Sequence, residues 1–156
     1  MTSPLEHKPP YGTKAEATFF VTICAHERDA NTLCLPEIGK IVLDSIRWRN
    51  ERHIWFCEIA LLMPDHVHLI LKFSERVAMT KALRDWKSWL TKTHGISWQE
   101  NFFDHRLRED EAYDQKAAYI LQNPVRAKLI AKEEDWPYVW ISSDKAPASS
   151  RRRLPA

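Results

Sequence analysis

The stretch IWFCEIALLMPDHVHLILKF, residues 54–73, decides how this chain folds. Two runs of large apolar and β-branched residues, 54–63 and 66–73, are separated only by Pro64-Asp65. Proline pre-sets φ and aspartate bonds back to its own backbone, so this pair between two strand-like runs predicts a β-hairpin. Upstream, Ala17-Thr18-Phe19-Phe20-Val21-Thr22-Ile23 has the same β-branched and aromatic character and predicts a first strand. Between them, Pro36 stands where a helix can start. Ile38, Ile41, Val42, Ser45 and Ile46 follow with the i, i+3, i+4 spacing of an amphipathic helix that ends near Arg52.

Downstream of the hairpin, the spacing predicts a second helix over 77–93, stopped by Gly95. Met79, Ala82, Leu83, Trp86 and Leu90 share one face of it, and Lys81, Arg84, Lys87 and Lys92 lie largely off that face. Residues 101–108 read as a short strand, and a third helix runs from 110 to about 123, where Pro124 interrupts it. The order β-α-β-β-α-β-α, with three or four antiparallel strands and helices on one face, predicts an α+β architecture of the ferredoxin-like or RNA-recognition type.

With 156 residues, 44% of them hydrophobic, 28% charged and only 3 glycines, the composition suits one domain with its own core and excludes disordered and collagen-like chains. A domain at 17–143 is expected, with an N-terminal extension 1–16 and a basic tail 144–156 that carries Arg151, Arg152 and Arg153. No apolar run is long enough for a membrane span, and MTSPLEHKPP lacks a signal-peptide hydrophobic region, so no membrane partner and a cytoplasmic address are expected. Cys24, Cys34 and Cys57 have neither CxxC nor zinc-knuckle spacing and read as reduced thiols. The net charge of +2 is a weak argument for a nucleic-acid partner. The span 76–108 is more informative, because it holds seven basic residues against three acidic ones.

His66-Val67-His68 lies inside a predicted strand. Strand side chains alternate, so both imidazoles project from one face and Val67 from the other. Such a pair suits a two-imidazole metal clamp and equally an ordinary pair of strand histidines. A third alternating histidine, as nucleotide hydrolases of the histidine-triad type need, is absent because position 70 is Ile. No histidine stands in the His-x-Ser/Thr pattern of two-histidine phosphoesterases. On the third helix, Tyr113, Ala117, Ile120 and Leu121 define a buried face, while Gln115, Tyr119, Gln122 and Asn123 repeat the spacing on a polar side. Tyr119 is therefore either an amphipathic surface residue or a functional group. Asn123, one turn further on, could bring an amide oxygen to the two histidines.

Three segments, taken together and in this order, carry a resemblance. They are Met63-Pro64-Asp65-His66-Val67-His68-Leu69-Ile70, the region from Trp98-Gln99 through Phe102-Phe103-Asp104-His105 to Arg108, and Tyr119-Ile120-Leu121-Gln122-Asn123-Pro124-Val125-Arg126-Ala127. They resemble the single-tyrosine HUH transposases (the IS200-like transposases), and within them the REP-associated tyrosine transposases, over about residues 17–143. The resemblance implies a metal-dependent endonuclease and strand transferase acting on single-stranded DNA near hairpins, in DNA transposition and recombination. It implies His66, His68 and Asn123 as ligands of a divalent ion, Mg²⁺ or Mn²⁺, and Tyr119 as a nucleophile that forms a 5′-phosphotyrosine link. Gln122 is the alternative third ligand. Two positions are notable against the family pattern. Lys128 stands where a glycine usually follows Asn-Pro-Val-x-Ala, and the wider family often has Gln where this chain has Asn123.

Binding to single-stranded or hairpin DNA is expected through Lys81, Arg84, Lys87, Arg106 and Arg108, with base stacking on exposed members of the seven tryptophans. Trp86 is expected in the core, and Asp65, Asp104 and His105 are candidates to orient a ligand or simply to end strands and turns. Monomer and homodimer are both compatible with the sequence. Two other readings stand beside the transposase. A non-catalytic hairpin-binding module of the same fold would bind DNA without needing Tyr119. A metallohydrolase acting on small phosphoesters would need a second cluster of ligands that the sequence lacks.

Overall fold

The computed structural model describes residues 16–108 and 110–142, the side chains of residues 110–112 excepted. The extension up to residue 15, the final residue of the expected domain and the basic tail lie outside the described residues.

Strands β1 (Ala17–Cys24), β2 (Phe56–Met63), β3 (His66–Phe73), β4 (Phe103–Leu107) and β5 (Val139–Ile141) form one sheet in the order β4-β1-β3-β2-β5. Every pairing is antiparallel. The helices are α1 (Pro36–Glu51), α2 (Arg76–His94), α3 (Asp110–Leu121) and the single turn α4 (Asn123–Arg126), followed by a 3₁₀ turn at Glu133–Asp135. The α+β class expected from the sequence is the observed one, and β2 and β3 make the expected hairpin, with Met63 paired to His66 across Pro64-Asp65.

One face of the sheet buries Phe19, Val21 and Ile23 of β1 and Val67, Leu69 and Leu71 of β3. They pack against Val42, Leu43 and Ile46 of α1 and Met79, Leu83, Trp86 and Leu90 of α2. Each of the larger side chains contributes about 1.5–3 kcal/mol by leaving water. Trp86 is in the core as expected, and its Nε1–H donates to Ser45 Oγ at 2.9 Å. Ser45 in turn donates to the Val42 carbonyl at 2.7 Å, so the one serine on the apolar stripe of α1 is satisfied.

The opposite face is covered too. Ile59, Leu61 and Met63 of β2, Ile70 of β3 and Val139 and Ile141 of β5 pack with Ile120 of α3 and with Trp136. Helices therefore lie on both faces, α1 and α2 on one and α3 on the other. The physical sign of this is β2 itself, which is buried along almost its whole length instead of alternating. A bulge at Glu58, between Cys57 and Ile59, shifts the register there. Strand β5 was not expected from the sequence. Its three residues are too short to show a period, and it forms only because β2 offers a free edge to Ile141, Trp140 and Val139. No helix among the described residues is long and apolar enough to cross a membrane.

Three helix ends use left-handed backbone, that of α1 at His53 (φ +59°) and those of α2 and α4. Gly95 closes α2 at φ +69°, where a Cβ would meet nothing within 4 Å. Lys128 closes α4 at φ +63°, with its N–H on the Val125 carbonyl and the Leu129 N–H on the Pro124 carbonyl, both at 2.9 Å. These two bonds form a Schellman motif, whose left-handed position favours glycine. The lysine that departs from the family pattern therefore adopts the backbone for which the glycine is suited. Lys128→Gly is expected to raise stability by about 1 kcal/mol, and Gly95→Ala to lower it by about as much, purely through backbone preference. Urea unfolding of the two variants checks the pair, and equal stabilities would remove the conformational explanation.

Candidate active site

The alternation of β3 separates Val67, fully buried among the core side chains, from His66 and His68 on the opposite face. The two imidazole centroids are 4.7 Å apart with planes at 77°. Each ring is fixed through its Nδ1. For His66 the partner is Asp65 Oδ1 at 2.8 Å, and an ionised carboxylate only accepts, so Nδ1 is the donor. For His68 the partner is Thr22 Oγ1 at 2.9 Å, across the β1–β3 pairing.

Asp65 is held in place by the loop after β1. Its Oδ2 accepts from Arg28 Nε and from the Asp29 backbone N–H, both at 2.8 Å. Burial works to raise the carboxyl's pKa, but the Asp29 N–H, His66 and the Arg28 guanidinium together hold it well below the usual carboxylate range. Of the three residues considered for an orienting role, Asp65 is the one in contact with an imidazole. Asp104 is ion-paired to Arg76, and His105 is paired in register with Phe20.

Helix α3 brings the remaining groups. Ile120 is fully buried, and Tyr113, Ala117 and Leu121 pack against the same cluster, which is the face expected from the sequence. Tyr119 falls off that face and is 49% exposed. The helix stops at Leu121, and Pro124, which lacks the N–H to continue it, sits at the start of α4. The break places the Asn123 Nδ2 atom 2.7 Å from His68 Nε2. Gln122, the alternative, is exposed. A half-turn of the Asn123 amide exchanges Nδ2 for Oδ1, the atom a hard cation needs.

The site is electropositive. Lys116 Nζ lies 5.3 Å and the Arg126 guanidinium 4.1 Å from the Tyr119 ring centroid, and Arg126 also donates to the Tyr119 carbonyl at 2.9 Å. The His68 pKa is pushed down to about 3, by burial first and then by the charges of His66, Arg126 and Lys116. It is therefore neutral, as a metal-ligating imidazole must be. Sequence reasoning assigned nothing to Thr22, Arg28, Lys116 or Arg126. The two cations were accessible to helical spacing, being three residues before and seven after the tyrosine, whereas Thr22 reaches His68 only through the strand pairing and Arg28 reaches His66 only through Asp65.

Among the described residues no group of three or more His, Cys, Asp and Glu could hold a metal. The available donors are two imidazoles and one amide, and this mixed nitrogen and oxygen set fits a divalent ion whose remaining positions go to water and phosphate oxygens. The expected DNA contacts are not gathered here. Lys81, Arg84 and Lys87 are on α2, behind the sheet; Lys81 pairs with Asp85, and Lys87 donates to the Gln99 and Glu100 carbonyls. Arg106 is on the edge strand β4, and Arg108 follows it. The exposed tryptophans, Trp48 and Trp89, are also behind the sheet, on either side of Arg49.

Comparison with known proteins leads to the same transposases that the three sequence segments resemble. The chain is similar to the REP-associated tyrosine transposase of Escherichia coli, 28% identical over 89 residues, and to a Haemophilus influenzae protein named for the same transposases, 30% identical over 105 residues. The alignments take in 55% of this chain in each case and 54% and 59% of those proteins, so the chain spans somewhat over half the length of the curated relatives it matches. The fold is also that of a solved REP-associated tyrosine transposase bound to a REP hairpin, with a TM-score of 0.67 at 19% identity over 97% of this chain and 89% of that one. No protein-family model matches the chain.

Thr22→Val keeps the β-branched shape and removes only the oxygen facing His68, leaving a buried ring nitrogen without its partner. Stability is expected to fall by about 1–3 kcal/mol, read by chemical denaturation. An unchanged midpoint and slope would mean that Thr22 does not hold the imidazole.

Proposed function

We propose that this protein is a REP-associated tyrosine transposase, a metal-dependent single-strand endonuclease and strand transferase of the HUH type that acts next to DNA hairpins. The observation that carries the reading is the contact between Asn123 and His68, because it ties the helical segment that presents Tyr119 to the strand that presents both imidazoles. The similarity to transposases supports it, as does the hairpin held by the solved relative.

In this reading His66, His68 and Asn123 would hold Mg²⁺ or Mn²⁺, with Mn²⁺ better matched to imidazole. A bound divalent ion supplies Lewis-acid polarisation of the scissile phosphate and stabilises its developing charge. Lys116 and Arg126, beside the Tyr119 ring, attract and orient the same phosphate. Tyr119 Oη attacks the phosphorus and the bond to the 3′ oxygen breaks, while the phenolic proton passes to the water that reaches this half-exposed side chain. The products are a 5′-phosphotyrosine ester and a free 3′-OH. The ester conserves the energy of the broken bond, so a second 3′-OH can reverse the step on another strand without ATP.

DNA that used Tyr119 and the α2 basic residues together would pass round β4, where Arg106 and Arg108 lie. On that path Arg84→Ala is expected to flatten the salt dependence of hairpin binding by up to about one released counterion. A slope equal to wild type would take α2 off the DNA path.

Incubation with a labelled hairpin oligonucleotide and Mn²⁺ is expected to give a covalent protein–DNA adduct on a denaturing gel. Tyr119→Phe should abolish the adduct and keep binding, and His66→Ala and His68→Ala should abolish cleavage. Tyr113→Phe, on the buried face of α3, should retain it. An adduct that persists in Tyr119→Phe would overturn the assignment, and binding without any wild-type adduct would leave a non-catalytic hairpin-binding module.

A further inference from the structure

Helix α3 does not cover the whole face that carries the imidazoles. His68, Thr22 and Phe103 are successive Cα partners across β3, β1 and β4, so their side chains stand in one row on that face. The next row holds Ile70, Phe20 and His105. The Phe20 ring stacks on His68, with centroids 5.4 Å apart, and Lys116 Nζ lies 5.0 Å from its centroid, between it and the Tyr119 ring. Phe103, at the edge, is 73% exposed. Two strand spacings, roughly 10 Å, separate it from His68.

An isolated exposed phenylalanine needs no explanation. This one is in line with the candidate active site, and the charges around it are those of a polyanion's path. Lys116 and Arg126 stand on the α3 side, whereas Arg106, paired with Phe19, alternates to the helical face. Asp104, the acid between Phe103 and His105, is paired with Val21 in register, points to the helical face and is ion-paired with Arg76. No tryptophan provides a stacking surface here, since the two exposed ones are behind the sheet.

We propose that Phe103 is the stacking platform for an unpaired base of the single-stranded DNA segment that carries the scissile phosphate to Tyr119. Base-on-aromatic stacking tolerates any base, so Phe103 sets the position of the strand along the β4 rim and not its sequence. The inference rests on the DNA-processing reading above, but its test does not require cleavage.

The experiment uses the full chain and a hairpin with a single-stranded arm, in which 2-aminopurine replaces each arm base in turn. Wild type should quench the fluorescence at one or two arm positions. Phe103→Ala should abolish that quench and weaken binding of the armed hairpin by about 5- to 100-fold. Phe103→Trp should restore both, and all three proteins should bind the armless hairpin alike. Retained quench in Phe103→Ala, equal loss on the armless hairpin, failure of the tryptophan variant to restore, or a change in dimerisation with protein concentration would each overturn the proposal. The last would assign the exposed ring to contact with a second copy. The Tyr119 adduct is read separately, so a quench without an adduct refutes the catalytic reading and leaves the platform, and an adduct without a quench does the reverse.

Discussion

Everything at the candidate site depends on the burial of Val67. Side chains on a strand alternate, so the valine between the two histidines cannot enter the core without turning both imidazoles to the other face. Leu69 and Leu71 are fully buried on the same side, which makes a one-residue slip prohibitive, because it would drive His66 and His68 into the packing of α1 and α2. The apolar half of β3 thereby sets the face on which its two histidines stand.

The second dependence is that of α3 on the sheet. Ile120 and its neighbours are packed on the site face, and their burial sets the rotation of the helix, so Tyr119 is necessarily outside. Pro124 then ends the helix where Asn123 can reach His68. Hydrophobic packing brings the two elements together, and a few polar contacts set the final geometry. Each imidazole has one nitrogen engaged by Asp65 or Thr22, which leaves Nε2 as the nitrogen facing the site.

The charges are divided between the faces. Arg126 and Lys116 flank the tyrosine and, after burial and the His66 charge, depress the His68 pKa, whereas the basic stripe of α2 lies behind the sheet and is partly engaged in ion pairs and carbonyl contacts. Net charge conceals this division. A chain at +2 overall concentrates cations beside the one exposed tyrosine of α3.

Local sequence determined the hairpin through Pro64-Asp65, the stop of α2 through Gly95, the shared face of His66 and His68 through the two-residue period, and the exposure of Tyr119 through the helical one. These are short-range consequences of backbone geometry, and they are legible wherever a period or a turn pair is present. Only the tertiary structure decided what crosses between elements. It placed Thr22 on His68, Arg28 on Asp65, Asn123 rather than Gln122 at the imidazole, α3 on the face opposite α1 and α2, and Phe103 in line with the histidines. It also added β5, which has no period of its own and exists because β2 leaves an edge to pair. Such contacts join residues tens of positions apart, and they follow from strand order and register, which a single sequence does not encode locally.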